Sequence, residues 1–172
     1  MSVTVTERAK AEPRGLEDLY LRHASGAVRL AYLITGDPDI AKDIAQEAFV
    51  RVAGRFRHLR VPDAFDSYLR RTVVNLCMSH FRRRRLERAH LEREAASPSR
   101  VQEPPELGTR DELRRALQSL PARQRTAIVL RYYEDLPEEG VASAMRCSVP
   151  AARSLVSRGM EALRTIVRSE DR

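Results

Sequence analysis

An all-α fold follows from three features of this chain: a helix-favouring composition, apolar residues that recur every three to four positions, and Pro and Gly placed between those periodic runs. Leu, Ala, Arg and Glu dominate, and all four suit helices. Nine Pro and seven Gly in 172 residues are too few and too clustered for an all-β chain. The expected architecture is two small helical domains joined by a linker, the C-terminal one a helix-turn-helix. The length suits one ordinary domain or two small ones.

Residues 1–14 are polar and mixed in charge, and are expected to form a disordered tail. From Leu16 the apolar positions Leu16, Leu19, Tyr20, Ala27, Leu30, Ala31 and Ile34 keep helical spacing, until Gly36 offers the left-handed conformation that ends a helix. Asp37 can then cap a second helix that starts on Pro38. Its inward stripe is Ile40, Ile44, Ala48 and Val52, flanked by Ala41, Ala45 and Phe49. Its other face carries Asp39, Asp43, Gln46, Glu47 and Arg51. A basic loop is expected from Arg55 to Pro62. A third helix then begins at Asp63, buries Phe65, Leu69, Thr72, Val73 and Leu76, and runs into Arg82–Arg85.

The first domain is assigned to residues 15–86 and the linker to 87–108, where Ser97-Pro98-Ser99 and Pro104-Pro105 lie among acidic residues. The linker is expected to be helical at its start and extended later. Residues 109–172 form the second domain, opened by the Thr109–Glu112 capping box. Pro121 ends one helix and starts another, which runs to about Tyr133. Two further helices, Pro137–Met145 and Val149 to about Arg168, are separated only by Arg146-Cys147-Ser148, with Ser148 as a cap.

Charge placement narrows the function. The formal charge of +7 points to a polyanionic partner. Nearly all of the positive charge is Arg, which suits phosphate and guanine, although a GC-rich genome gives the same bias. The stretch Arg55–Arg85 carries +7 and Arg146–Arg168 carries +4, while Leu86–Glu112 between them carries −3. Two basic zones separated by an acidic strap suit a protein that touches DNA at two places. Cys77 and Cys147 lack metal-ligand spacing and are expected to be reduced. No window approaches the roughly 18 apolar residues of a membrane span, and the N-terminus has no signal-peptide core. A cytoplasmic protein is expected.

The short join at Arg146–Ser148 fits a helix-turn-helix, whose second helix lies in the major groove. On a helical projection Val149, Ala152, Val156, Met160, Leu163 and Val167 fall on one side. Ser154, Ser157, Arg158 and Glu161 fall on the other, with Arg153 at the flank. Outward hydroxyls and guanidiniums are the groups that read base edges.

These segments, in this order, resemble the extracytoplasmic-function (ECF) branch of the sigma-70 family of transcription initiation factors. Leu16–Arg85 resembles the family's second conserved region. Within it, Asp43-Ile44-Ala45-Gln46-Glu47-Ala48-Phe49 is similar to the acidic segment that grips the polymerase β′ clamp. Phe65–Arg85, with Asn75-Leu76 and the Arg run, resembles the helix that melts and recognises the −10 element. Leu120–Arg125 and Leu130–Leu136 look like the opening of the fourth region, and Cys147–Arg158 like its −35 recognition helix.

The resemblance implies polymerase binding through Asp43, Gln46, Glu47, Phe49 and Arg51. It implies −10 contacts from Arg57, Arg60, Arg71, Asn75, Arg82 and Arg83, and −35 contacts from Ser148, Arg153, Ser154, Ser157 and Arg158. It further implies core RNA polymerase (β′ clamp and β flap) and promoter DNA as partners. An anti-sigma factor is a further candidate. No catalysis, cofactor, metal, membrane or small-molecule substrate is expected. The chain departs from the family pattern with Arg146 where Gly is common at the turn, and with Ala151 and Leu155 on the recognition helix.

Three rival readings differ in kind. A helix-turn-helix regulator acting without polymerase would leave the first domain idle. A polymerase-docking protein without promoter recognition would fit the atypical helix-turn-helix residues. An enzyme built on His23, His58, His80 or His90 has no supporting HExxH, P-loop or nucleophile-elbow motif.

Overall fold

The first helix, α1 (Leu16–Thr35), buries Leu19, Ala27, Leu30, Ala31 and Ile34. In the computed structural model, which describes residues 15–56, 62–94 and 109–170, it stops where the sequence places a glycine. Gly36 sits at φ 77°, and its N–H returns to the Tyr32 carbonyl at 2.8 Å. Asp37 opens α2 (Pro38–Phe56), its Oδ1 accepting the N–H groups of Asp39 (2.9 Å) and Ile40 (3.1 Å). Asp37→Ala is expected to lower stability by about 1 kcal/mol through loss of this cap, read as a lower thermal midpoint with unchanged helical signal.

Next, α3 (Pro62–Glu94) spans 33 residues, roughly 50 Å at 1.5 Å per residue. Residues 87–94, the start of the expected linker, continue this helix. The segment Leu86–Glu94 contains no Gly or Pro and, His90 aside, consists of strong helix formers. Its charge pattern suggested a strap, but charge does not stop a helix. The tail 1–14 and the remainder of the linker, 95–108, lie outside the described residues, as do Arg57 and Arg60.

The second unit comprises α4 (Thr109–Ser119), α5 (Ala122–Ile128), α6 (Glu138–Met145) and α7 (Val149–Glu170). Pro121 and Pro137 each precede a helix, as expected. Between α5 and α6 the chain takes one turn of π-helix, Val129–Tyr133, which sequence gave no sign of. No strand occurs among the described residues.

The two helical units do not stand apart. Leu19, Phe65, Val73, Val74 and Cys77 from the first share one continuous apolar cluster with Ala127, Leu130, Val141 and Ala152 from the second. Burial pushes the Cys77 thiol up to about 12, so it behaves as a small apolar group rather than a nucleophile. The second unit also has its own core, where Leu117, Leu120 and Ile128 meet Met160 and Leu163 of α7. Gly159 permits this approach, since a Cβ there would lie 2.6 Å from Ile128 Cδ1.

Candidate nucleic-acid and polymerase interfaces

In the first unit, helices α2 and α3 line a groove of about 480 Å³. Asp43, Glu47 and Arg51 come to it from α2, and Asn75, His80 and Arg83 from α3. Three of the residues expected to hold polymerase (Asp43, Glu47 and Arg51) and two of those expected to hold −10 DNA (Asn75 and Arg83) therefore share one cleft, although 24 positions separate Arg51 from Asn75 in the chain. Asp43, Gln46, Glu47 and Arg51 are exposed. Arg51 and Glu47 pair along the helix at 2.5 Å. His80 is held below its usual range by burial and by Arg84 and Arg83, which keeps the imidazole neutral near pH 7.

Phe49 is the exception among the expected polymerase contacts. It is only 6% exposed, with its ring 4.9 Å from Tyr20 and 6.2 Å from Phe65. Helical phase explains the difference, because Phe49 stands four residues after Ala45 and three before Val52, both buried. Its side chain supports the helix from inside and presents nothing to a partner.

Among the −10 candidates, Arg82 and Arg83 are exposed, and Arg82 donates to the Ser79 hydroxyl at 3.1 Å. Arg71 is half-buried, with its Nε shielded from solvent and lacking an acceptor. Arg55, expected to open the basic loop, belongs to α2, where it donates to the Tyr68 hydroxyl.

The helix-turn-helix is built by its caps. Arg146 adopts φ 51°, its N–H returning to Ser143 O at 3.3 Å while the Cys147 N–H returns to Ala142 O at 3.0 Å. This pair of bonds is the reversal that usually ends in glycine. Ser148 then accepts the Ala151 N–H at 3.3 Å and starts α7. Arg146→Gly is expected to stabilise the protein by roughly 0.5–1 kcal/mol, because an L side chain at positive φ is strained. Chemical denaturation checks this, and an unchanged midpoint would show that the turn carries no strain.

On α7, Arg153, Ser157 and Arg158 are exposed, while Ala152 is buried and Val156, Met160 and Leu163 are partly so. Ser154 is half-buried, nearer the flank than the projection placed it, and Ser148 is exposed. Sequence reasoning missed the partner of Arg153. The guanidinium of Arg153 grips Glu138 of α6, with Nε to Oε2 at 2.9 Å and Nη2 to Oε2 at 2.6 Å. This fork holds the Glu138 carboxyl below its usual range. The signal was present in the pattern, as Glu138 opens the bracing helix just where that helix meets the start of α7.

Comparison with known proteins matches these two units separately. Residues 19–87 match the family model described as Sigma-70 region 2, and residues 110–163 the model described as Sigma-70, region 4. The RNA polymerase sigma-E factor of Streptomyces coelicolor is 31% identical over 146 residues, covering 84% of this chain and 82% of that protein. The ECF RNA polymerase sigma factor SigE of Mycolicibacterium smegmatis is 31% identical over 156 residues, 86% of this chain, which spans 60% of that relative's length. In fold, the chain is similar to the sigma factor RpoE solved in complex with the anti-sigma factor NepR from Bartonella quintana. That match has a TM-score of 0.70 and 21% identity, covering 88% of this chain and 96% of the other.

Proposed function

The chain belongs to the sigma-70 family, as an ECF sigma factor that directs promoter-specific transcription initiation, and from that premise we propose how its two helical units divide the work. The first docks on the β′ clamp of core RNA polymerase through the acidic face of α2 and holds −10 bases from α3. The second docks near the β flap and sets α7 in the major groove at the −35 element. The polymerase supplies the chemistry, in the cytoplasm where it works. An anti-sigma factor is a further partner on this reading.

The shared groove of Asp43, Glu47, Asn75 and Arg83 is the observation that carries the proposal. An acidic edge on α2 faces a basic one on α3 across this groove, which supports clamp binding and base capture side by side. Holding unpaired bases there offsets part of the few kcal/mol needed to unstack each step.

Run-off transcription with core enzyme on a randomised promoter library tests the whole reading. Promoter-selective transcripts are expected, and their absence on every template would overturn it. The docking assignment has its own test. Asp43→Ala combined with Glu47→Ala is expected to weaken core binding about tenfold with the fold intact, as for charged interface groups generally. Wild-type affinity would remove these residues from the clamp contact.

No helix among the described residues is long and apolar enough to cross a membrane.

A further inference from the structure

One carboxylate stands where the helix-turn-helix would otherwise show only positive charge. Glu138 is the first residue of α6. A cavity of about 260 Å³ lies beside it, and the charged residues lining that cavity are Arg131, Arg153, Arg164 and Glu138. Among the described residues Glu138 is therefore the one anion against three cations. Without it, this rim would draw phosphate from any DNA that came near α7.

Simple means put Glu138 in this place. Pro137 is extended, with ψ 166°, so the helix starts on the residue after it. Val141 of α6 and Ala152 of α7 are buried together in the core and bring the two helices side by side. Arg153, next after Ala152, then reaches back 15 residues to the start of α6. Its Nε donates to both carboxylate oxygens, Oε1 at 3.0 Å and Oε2 at 2.9 Å, and its Nη2 donates to Oε2 at 2.6 Å. The hydrogen bonds hold the Glu138 carboxyl below its usual range and Arg153 above its own. Both groups stay charged at neutral pH.

A guanidinium carries five N–H groups in a fixed plane. The fork with Glu138 uses the edge made by Nε and Nη2. The outer edge, made by Nη1 and the second N–H of Nη2, is left over, and its direction is set because the inner edge is tied down. Two parallel donors of this kind suit the O6 and N7 acceptors of guanine. An untied arginine would swing to phosphates on either side, and such contacts carry no sequence information.

Resting on the −35 reading of α7 above, we propose that Glu138 is a specificity-determining residue. It occupies the inner edge of Arg153, withholds that guanidinium from phosphates, and leaves it one outward edge with which to meet a base. Affinity falls and selectivity rises, because discrimination is set by how much worse the wrong partner binds. Unrelated duplex, which offers Arg153 only phosphates, loses most. A guanine opposite the outer edge loses little. Glu139, next in the chain, is exposed and acts on Arg153 only through its charge, so it provides the comparison.

The test uses holoenzyme assembled from core polymerase and the full chain, on two promoter duplexes that differ only at −35, one selected by the protein and one scrambled. Core contributes equally to both, so the ratio of the two affinities reads the −35 contact alone. Glu138→Gln keeps the shape of the side chain and removes its charge. It is expected to raise affinity for the scrambled duplex about threefold and for the selected one no more than about 1.5-fold, on the scale of one exposed ion pair. The ratio then falls about twofold, with the helical signal unchanged. The salt slope on the scrambled duplex is expected to steepen by about 0.9, the mark of one added phosphate contact. In an Arg153→Gln background, Glu138→Gln is expected to leave the ratio alone, because its effect travels through that guanidinium. Glu139→Gln is expected to shift both affinities alike and keep the ratio. An unchanged ratio in Glu138→Gln would overturn the proposal, as would an equal loss from Glu139→Gln or persistence of the effect without Arg153. Wild-type holoenzyme that binds both duplexes equally would instead refute the −35 reading of α7, and this inference with it.

Discussion

Phe65→Ala is expected to remove about 3–5 kcal/mol of stability, the range for truncating a fully buried aromatic side chain. Phe65 has no exposed surface and lies in the first turns of α3. Its ring sits 6.2 Å from Phe49 and 5.5 Å from His23, so it joins all three helices of the first unit. No neighbour is free to fill the space, since Leu69 and Val52 are themselves packed in the same cluster. Urea denaturation provides the measure, as a lower midpoint at unchanged slope. Phe65→Leu, which keeps most of the volume, is expected to cost less than about 1.5 kcal/mol. A loss under 1 kcal/mol for the Ala variant would show that the site collapses and that Phe65 does not hold the helices together.

The second large effect concerns DNA. Arg158→Ala is expected to weaken −35 binding by about 1–3 kcal/mol and to relax base preference at one position, the signature of a lost bidentate contact to guanine. Arg158 is exposed on α7, and none of the salt bridges found among the described residues engages it. Arg153 differs, because Glu138 already occupies its fork. Arg153→Ala should therefore have the smaller effect of the two, and Glu138→Gln should strengthen binding by releasing Arg153 to the DNA. Footprinting of polymerase holoenzyme on a promoter series with single −35 changes reads all three. Equal base preference in wild type and Arg158→Ala would withdraw that residue as a reader.

Much of the fold was legible because its punctuation is local. Gly36, Asp37-Pro38, Pro121, Pro137 and Ser148 each act within one turn of their own position, and each helix boundary they imply is found. The outward face of α7 was legible for the same reason, as helical periodicity needs only neighbouring residues. The misreadings came from elsewhere. Phe49 was assigned by the company it keeps in an acidic segment, while its helical phase already placed it beside Ala45 and Val52. The ion pair that joins the two units lay beyond reach, because Arg70 and Glu134 are 64 residues apart and each alone resembles an ordinary surface charge. The π-turn that brings Glu134 into place has no local signature at all.

The long third helix has a mechanical corollary. Past Phe81 its side chains are exposed through His90, so the segment projects as a spar whose last turn has a fixed bearing. Each residue of α-helix turns that bearing by about 100°. One extra residue near Leu86 would swing the end of the helix to a different side of its axis, whereas an insertion of seven, close to two full turns, would nearly restore its heading about 10 Å farther out. The heading at the end of the spar is thus written in the count of residues along it, independently of which residues they are.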